Sequence, residues 1–238
     1  MLDTEVLLND FAVRCFRDIA DADYIAARMA YRADLMMQYL WASQQAIEKY
    51  FKGILLLNRI PARKVKHDLE AALTKINTSG KLSVDFTKGT KEFIDYIDSY
   101  GRFRYLETSP VMFGRDIVRL DRAIWEVRRY CTLSDVGRQA KLKNGEPAPI
   151  VRIGGGYLEQ IIDNPKHPAR EPLLWQNAFF GKRTRRKVRV SMGFRATNSP
   201  LFLNPQILDE VVKYVFLPGD VVAAYRKLRD EGDPRETA

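Results

Sequence analysis

The sequence predicts a mainly α-helical fold, in which an antiparallel up-and-down bundle of about five helices precedes a smaller α+β C-terminal module. Three observations predict it. Apolar residues recur at spacings of three and four through residues 1–131, which is the period of one helix face. Short connections separate these stretches, as in antiparallel bundles. After about Cys131, the pattern changes to a proline-bearing linker followed by mixed structure.

Each predicted helix has its own apolar stripe. In the longest one, Met36, Leu40 and Ile47 lie at helical spacing, and Asp34 is the expected N-cap. Pro61 follows the end of this stretch and disfavours a helical conformation at the residue before it. The predicted helices of the bundle are Asp18–Tyr31, Asp34–Leu57, Lys66–Ile76, Thr90–Tyr100 and Phe113–Tyr130.

We expect two domains, a helical bundle over residues 1–140 and a basic α+β module over residues 141–238. The segment Lys143–Pro149 is rich in turn-forming residues and serves as the linker. Apolar and polar residues alternate from Val188 to Arg195, which predicts a half-buried strand. Two helices are predicted after the strand, from Pro205 to Phe216 and from Asp220 to Leu228.

The composition restricts the function. The chain has 39 Lys and Arg residues against 30 Asp and Glu residues, so its net charge is +9, which favours a polyanionic partner. Two cysteines and two histidines, scattered along the chain, predict neither a disulfide scaffold nor a metal site. We therefore expect reduced thiols, a cytoplasmic protein and no cofactor. No apolar run approaches the roughly 18 residues of a membrane span, so no membrane contact is expected.

Three groups of basic residues are candidate sites for phosphate groups. In the first, a loop precedes a helix N-terminus, where free amides add partial positive charge. The second mixes arginine with aromatic residues, which suits base stacking, and the third could follow a nucleic-acid backbone. The alternatives are solvated surface charge, packing at a helix end and protection of an edge strand. The three groups are Arg59, Arg63, Lys64, Lys66 and His67; Arg102, Arg104 and Tyr105; and Lys182, Arg183, Arg185, Arg186, Lys187 and Arg189.

Two further lysines lie on the polar side of the longest predicted helix. Lys49 and Lys52 could bind the phosphate of a nucleotide. However, Glu48 and Lys52 stand four residues apart in the favourable orientation for a helical ion pair, so the alternative is a surface salt bridge.

Three blocks of the sequence resemble a HEPN domain, a nucleotide-binding helical bundle. They are Asp21–Ala27, the segment Ala-Ser-Gln-Gln-Ala-Ile-Glu-Lys-Tyr-Phe-Lys-Gly-Ile-Leu-Leu at 42–56, and Lys-His-Asp-Leu at 66–69. The order and spacing of the last two blocks are the most specific part. The resemblance extends over about residues 17–131 and implies a homodimer in a defence or toxin–antitoxin system.

The resemblance implies two kinds of activity. Some HEPN proteins are metal-independent ribonucleases, whose signature is an arginine followed by a histidine with four to six residues between them. In this chemistry the imidazole handles the proton of the 2′-hydroxyl, and the guanidinium neutralises the phosphorane-like transition state. Other members lack the signature and are binding or antitoxin-side proteins, often partnered with nucleotidyltransferases.

The chain departs from the ribonuclease signature. Arg63 precedes His67 with three residues between them and Arg59 with seven, while His167 has no arginine closer upstream than Arg152. The sequence therefore favours a nucleotide- or RNA-binding homodimer. One alternative is a ribonuclease that uses His67 as acid and base and Arg63 or Arg59 as phosphate stabiliser. The other is an interaction module that docks a protein such as a nucleotidyltransferase and has no ligand of its own.

His67 also has a structural interpretation. A histidine at a helix start can donate to a loop carbonyl while the following residue, Asp68, caps the free amides of the helix.

Overall fold

The computed structural model describes residues 4–63, 65, 67–101, 111–131, 156–181, 193–196 and 200–231, and these residues are mainly helical. Their contacts divide the chain into two compact units. The first comprises Met1–Arg102 and Arg115–Val190, and the second comprises Phe103–Gly114 and Ser191–Ala238. The predicted boundary between residues 140 and 141 lies outside the described residues and stays a prediction.

The first unit is built from eight described helices. Five of them, α2 to α6, correspond to the predicted bundle, whereas α1 precedes it and joins α2 through a π-helical turn at Val13–Arg17. A 3₁₀ turn at Arg129–Cys131 extends α6. The helices are α1 (Thr4–Ala12), α2 (Asp18–Arg32), α3 (Met36–Leu57), α4 (Leu69–Thr78), α5 (Lys88–Gly101), α6 (Asp116–Arg128), α7 (Tyr157–Asp163) and α8 (Arg170–Leu174).

Helix α3 is the centre of this unit and contacts α1, α2, α4, α5 and α6. The predicted stripe is confirmed, because Ile47, Tyr50 and Ile54 are fully buried. Phe51 and Leu55 are also fully buried, so the apolar surface of α3 is wider than one face. Burying a large apolar side chain contributes about 1.5–3 kcal/mol, so each of these residues of α3 adds to the stability of the bundle.

The π-helical turn approaches α3 closely at Gly53. A Cβ atom built on Gly53 would lie 3.3 Å from Cβ of Phe16, tighter than ordinary van der Waals contact. Glycine therefore permits the close contact between the turn and α3.

The prediction that Asp34 caps α3 is wrong. Asp34 has a φ of 62° and closes α2, since its N–H donates to the carbonyl of Tyr31 while that of Leu35 donates to Ala30. This is the left-handed ending that asparagine and aspartate tolerate better than most residues. The prediction for Asp68 is confirmed, because its Oδ1 accepts from the amide of Ala71 at 2.8 Å and α4 begins at the next residue.

In the part of the second unit that the structure describes, there are a small apolar core and a short two-stranded sheet. Strand β1 (Val111–Phe113) pairs antiparallel with β2 (Phe194–Ala196), with Val111 opposite Ala196. Two strands of three residues do not establish the predicted α+β module, and the predicted helix from Pro205 is divided into a 3₁₀ turn and α10. The helical elements are α9 (Pro200–Leu203), the turn Pro205–Ile207, α10 (Leu208–Tyr214) and α11 (Gly219–Glu231).

The core of the second unit joins these helices through five buried side chains. They are Leu201, Leu208, Leu217, Val221 and Tyr225. Throughout the part of the chain that the structure describes, none of the helices has both the length and the apolar character needed to cross a membrane.

Candidate functional site

The polar side of α3 is organised around the carboxylate of Glu48. This residue is only 4% exposed, although the helical pattern places it among polar neighbours. Lys52 Nζ donates to Glu48 Oε1 at 2.5 Å, and Gln45 Nε2 donates to Oε2 at 3.2 Å. The predicted ion pair between Glu48 and Lys52 is therefore confirmed, but its carboxylate is buried instead of solvated.

Glu48 also holds the imidazole of His67. Nδ1 of His67 lies 3.1 Å from each of the two carboxylate oxygens. In addition, Nε2 of the buried Gln44 donates to the backbone carbonyl of His67 at 2.9 Å. The ring of His67 therefore contacts the carboxylate of Glu48. The structural interpretation made from the sequence expects a backbone carbonyl of the loop in this place.

These contacts fix His67 without burying it. Its side chain is 72% exposed, whereas that of its partner Glu48 is 6% exposed. Because an ionised carboxylate can only accept, the neutral form of this imidazole carries its proton on Nδ1 and has Nε2 as an acceptor. An exposed acceptor nitrogen backed by a carboxylate can take a proton from a bound hydroxyl or accept a hydrogen bond from a ligand.

Arg63 lies exposed in the loop that leads to His67. The other two cations of this predicted group, Lys64 and Lys66, lie outside the described residues. Among the described residues, no group of three or more His, Cys, Asp and Glu side chains could hold a metal ion.

The two lysines predicted to bind phosphate are both engaged in ion pairs. Lys49 Nζ donates to Oδ2 of Asp23 at 2.5 Å, and Lys52 is paired with Glu48. A phosphate ligand would have to compete with these carboxylates. The role of Lys49 and Lys52 in binding stays a prediction.

Arg59 is held by the N-terminal helix. It has a φ of 54° and closes α3, and its guanidinium donates to Glu5 and to Oδ1 of Asn9 at 2.9 Å. The same guanidinium donates to the carbonyl of Leu56 at 2.8 Å. These bonds tie α1 to the end of α3, so the geometry gives Arg59 a structural task.

A family model described as HEPN domain matches residues 13–128. The chain carries a HEPN domain. No family model matches the C-terminal part, and no curated protein and no solved structure matches the chain. The matched range begins at the π-helical turn and ends with α6, so Glu48 and His67 both lie within the HEPN domain.

Two arginines that are not apparent in the sequence as site residues connect the HEPN domain to the segment 156–181. The first is Arg28, which is 1% exposed and pairs with Asp121. Its guanidinium also donates to the carbonyl of Pro172 at 3.0 Å and to that of Trp175. Arg28 therefore fixes α8 and the residues after it on α2 and α6.

The second is Arg128, whose guanidinium is shared between two carboxylates. Its Nε and Nη2 donate to Asp21 at 2.7 and 2.9 Å, and Nη1 and Nη2 donate to Glu159 at 2.7 Å each. Asp21 is fully buried and also accepts from the hydroxyl of Tyr50 at 2.5 Å and from the amide of Leu158 at 3.3 Å. Arg128 thereby holds α7 against the bundle.

The environment changes the pKa of several of these groups. Burial raises the pKa of Asp21, although the hydrogen bonds and charge of Arg128 oppose the rise. Burial alone would raise the pKa of Glu159 as well, but the hydrogen bonds and charge of Arg128 outweigh it and lower this pKa. Burial also raises the pKa of Cys131 to about 12, so this thiol is unreactive at neutral pH.

The predicted basic groups elsewhere are not described. Arg102 and Arg104, and the stretch with Lys182, Arg183, Arg185, Arg186, Lys187 and Arg189, lie outside the described residues. Their contribution to binding stays a prediction.

Proposed function

We propose that the HEPN domain binds RNA or a nucleotide at the surface around His67. The observation that carries the proposal is the exposed imidazole of His67, which is fixed through Nδ1 on the buried carboxylate of Glu48. Nε2 accepts a hydrogen bond from a ribose hydroxyl or a base, and the exposed guanidinium of Arg63 binds a phosphate. The net charge of +9 supports a polyanionic ligand.

The proposal includes the assembly and the setting. We propose a cytoplasmic homodimer that acts in a defence or toxin–antitoxin system, on the support of the HEPN match over residues 13–128. Lys64 and Lys66 belong to the same proposed phosphate site by their place in the sequence. A nucleotidyltransferase is the partner to test first, because the binding and antitoxin-side proteins that the sequence resembles often have one.

The contact between Glu48 and His67 also favours a second candidate, a metal-independent ribonuclease. In this reaction Nε2 of His67 takes the proton of a 2′-hydroxyl, and that oxygen attacks the adjacent phosphorus. The bond to the 5′-oxygen breaks, and that oxygen takes a proton from water or from the imidazolium. The products are a 2′,3′-cyclic phosphate and a 5′-hydroxyl, and Arg63 neutralises the charge on the phosphorus oxygens.

One experiment tests both candidates. Wild type, His67→Ala and Arg63→Ala are incubated with labelled RNA in EDTA, and both binding and cleavage are measured. The control is Arg14→Ala, because the Arg14 side chain is 70% exposed and lies 3.6 Å from its ion-pair partner Asp10. If the protein only binds RNA, we expect the RNA to stay intact in every sample. The affinity of Arg63→Ala for RNA should be several-fold lower than that of the wild type, and the affinity of the control should be unchanged.

The other outcomes are equally clear. Cleavage by the wild type that is lost in His67→Ala, with binding retained, would establish the ribonuclease. No salt-dependent affinity for RNA or nucleotides in any variant would refute the proposal and leave the interaction module as the function to pursue.

A further inference from the structure

Large apolar side chains of the second unit are exposed on and around α10. Tyr214, the last residue of this helix, is 83% exposed, and Phe216 is 87% exposed. Three aliphatic residues nearby in the sequence are between 41% and 56% exposed. We call the five residues together the α10 surface, and they are Leu203, Ile207, Tyr214, Val215 and Phe216.

Helical geometry aligns two members of this surface. Ile207 ends the 3₁₀ turn before α10, and Tyr214 follows it by seven residues. Seven residues make almost two full helical turns, so the two side chains lie on the same side of the helix. The core of the unit is beside them, since Leu208 is fully buried and Val211 packs against the same core.

The aromatic ring of Phe216 faces outwards because of the backbone after α10. Val215 has a φ of −130° and a ψ of 136°, so the chain is extended here. Neighbouring residues of an extended chain point to opposite sides. Leu217 belongs to the buried core, and Phe216 therefore points away from it. The backbone would allow any polar residue at this position, so a phenyl group indicates a surface that a partner covers.

The α10 surface has the size of a protein interface. Tyr214 and Phe216 alone expose roughly 300 Å², which is as much as the largest apolar patch of many monomers. A standard interface buries about 800 Å² of each partner, and somewhat more than half of that area is apolar. With its three aliphatic members, the α10 surface supplies the apolar core of one such interface.

The charges around this surface are balanced. Residues 200–231 include five acidic and four basic residues, whereas the whole chain has a net charge of +9. A polyanion or an anionic membrane is therefore not attracted to this part of the chain. Glu210 and Lys213 lie on α10 beside the line from Ile207 to Tyr214, and their side chains form an ion pair at 2.5 Å.

We propose that the α10 surface is the contact between two copies of this chain, which are related by a twofold axis. A twofold contact places the same surface against itself, so its charges must be self-complementary. When the two copies of α10 lie antiparallel, Glu210 faces Lys213 of the partner subunit on both sides of the axis. The aromatic rings at the end of one helix then cover the aliphatic side chains at the start of the other. The inference rests on the homodimer proposed above and assigns its contact surface.

The first test measures the oligomeric state of two matched variants of the full chain. Tyr214→Ser/Phe216→Ser removes two exposed aromatic rings from the α10 surface. Phe11→Ser/Trp125→Ser removes two exposed aromatic rings from the first unit and is the control. Sedimentation velocity over a range of concentrations gives the Kd of the dimer, and circular dichroism with thermal melts establishes that both variants are folded.

We expect the Kd of the dimer to rise about hundredfold or more in Tyr214→Ser/Phe216→Ser. Exposed aromatic residues contribute strongly to interfaces, and a twofold contact loses each ring twice. The Kd of the control should stay within about threefold of the wild type, because surface substitutions outside an interface have small effects.

A second test uses charge and leaves the aromatic rings in place. Glu210→Lys has two cations at these positions, and Lys213→Glu has two carboxylates, so each variant should dimerise more weakly by itself. Mixing the two should give mixed dimers in preference to either homodimer. Neither variant keeps its own ion pair of residues 210 and 213, so this preference arises only from contact between chains. Native mass spectrometry with one variant labelled with ¹⁵N counts the mixed dimers.

The remaining outcomes separate this inference from the proposals on which it depends. A wild-type dimer with the same Kd in Tyr214→Ser/Phe216→Ser, or a random mixture of the two charge variants, would overturn the α10 contact and leave the homodimer in place through another surface. A wild-type chain that stays monomeric at every concentration would overturn the contact and the homodimer together. RNA binding at His67 is measured with Arg63→Ala, so its failure would be seen independently of both.

Discussion

Nδ1 of His67 contacts both carboxylate oxygens of Glu48 at 3.1 Å, although nineteen positions separate the two residues in the sequence. The contact depends on two levels of structure. Helical periodicity aligns Gln44, Glu48 and Lys52 on one side of α3, and the loop after α3 brings His67 back onto it. Gln44 completes the arrangement by binding the backbone carbonyl of His67.

We predict that Glu48 sets the tautomer of His67. At a pH where the imidazole is neutral, ¹⁵N NMR of the wild type should report a protonated Nδ1 and an acceptor Nε2, because the carboxylate accepts at Nδ1. In Glu48→Ala this preference should be lost. Glu70→Ala, an exposed residue in the first turn of α4, is the control and should keep the wild-type pattern. An unchanged pattern in Glu48→Ala would contradict the role given to the carboxylate.

A second prediction concerns the buried ion pair of Asp21 and Arg128. Arg128→Met should reduce the free energy of unfolding by about 3–5 kcal/mol, because it leaves the carboxylate of Asp21 buried and uncompensated. The double variant Asp21→Asn/Arg128→Met removes both charges and keeps an acceptor for Tyr50, so it should recover most of the loss. Urea unfolding measures both values. A double variant as unstable as Arg128→Met would show that the charge is not the cause.

The third prediction compares two neighbouring arginines on α2. Arg28→Lys should increase hydrogen exchange in residues 170–177, since a lysine cannot reach Asp121 and two backbone carbonyls together. Arg32→Lys is the matched control, because its ion pair with Glu171 is exposed and pairs of this kind contribute about 0–1 kcal/mol. Equal exchange in the two variants would argue against Arg28 as the residue that fixes this segment.

A fourth prediction follows from the lowered pKa of Glu159. A carboxyl group whose folded pKa is below its unfolded value, ordinarily about 4.3, stabilises the fold above that pH. The contribution is lost as the pH falls through the folded pKa. Protection of the amides of Tyr157–Asp163 should therefore decrease on acidification below about pH 4. Glu159→Gln should remove this step from the pH profile, and a step that persists would have to come from another group.

Much of the bundle could be predicted because the signals for a helix come from residues that are close together in the sequence. The stripe of Ile47, Tyr50 and Ile54 has the period of a helix face, and Asp68 has the side chain that caps a helix start. The prediction that Asp34 is the N-cap of α3 was wrong because an aspartate between two helices can cap the second helix or end the first. The backbone hydrogen bonds to the carbonyls of Ala30 and Tyr31 show that Asp34 ends α2, and the sequence alone does not reveal them.

The candidate site could be predicted only in part. The ion pair of Glu48 and Lys52 follows from helical spacing, but the burial of Glu48 depends on the loop that brings His67 onto it. A signal for the burial of Arg28 was present, because it stands one turn after Tyr24 on the inward side of α2, but nothing in the sequence marks it as a site residue. The partners of the two buried arginines, at 159 and 172–175, are distant in the sequence, and no local pattern marks them.

The hydrogen bonds of Arg28 and Arg128 also determine how short a fragment of this protein can be and still keep the fold of the HEPN domain. The HEPN match ends at residue 128, but the carbonyls of Pro172 and Trp175 and the carboxylate of Glu159 come from beyond it. A shortened chain that stops at the end of the match would expose two guanidinium groups and the apolar surface beneath α7 and α8. A binding assay on such a fragment would report on a damaged fold, so fragments should extend at least through residue 181.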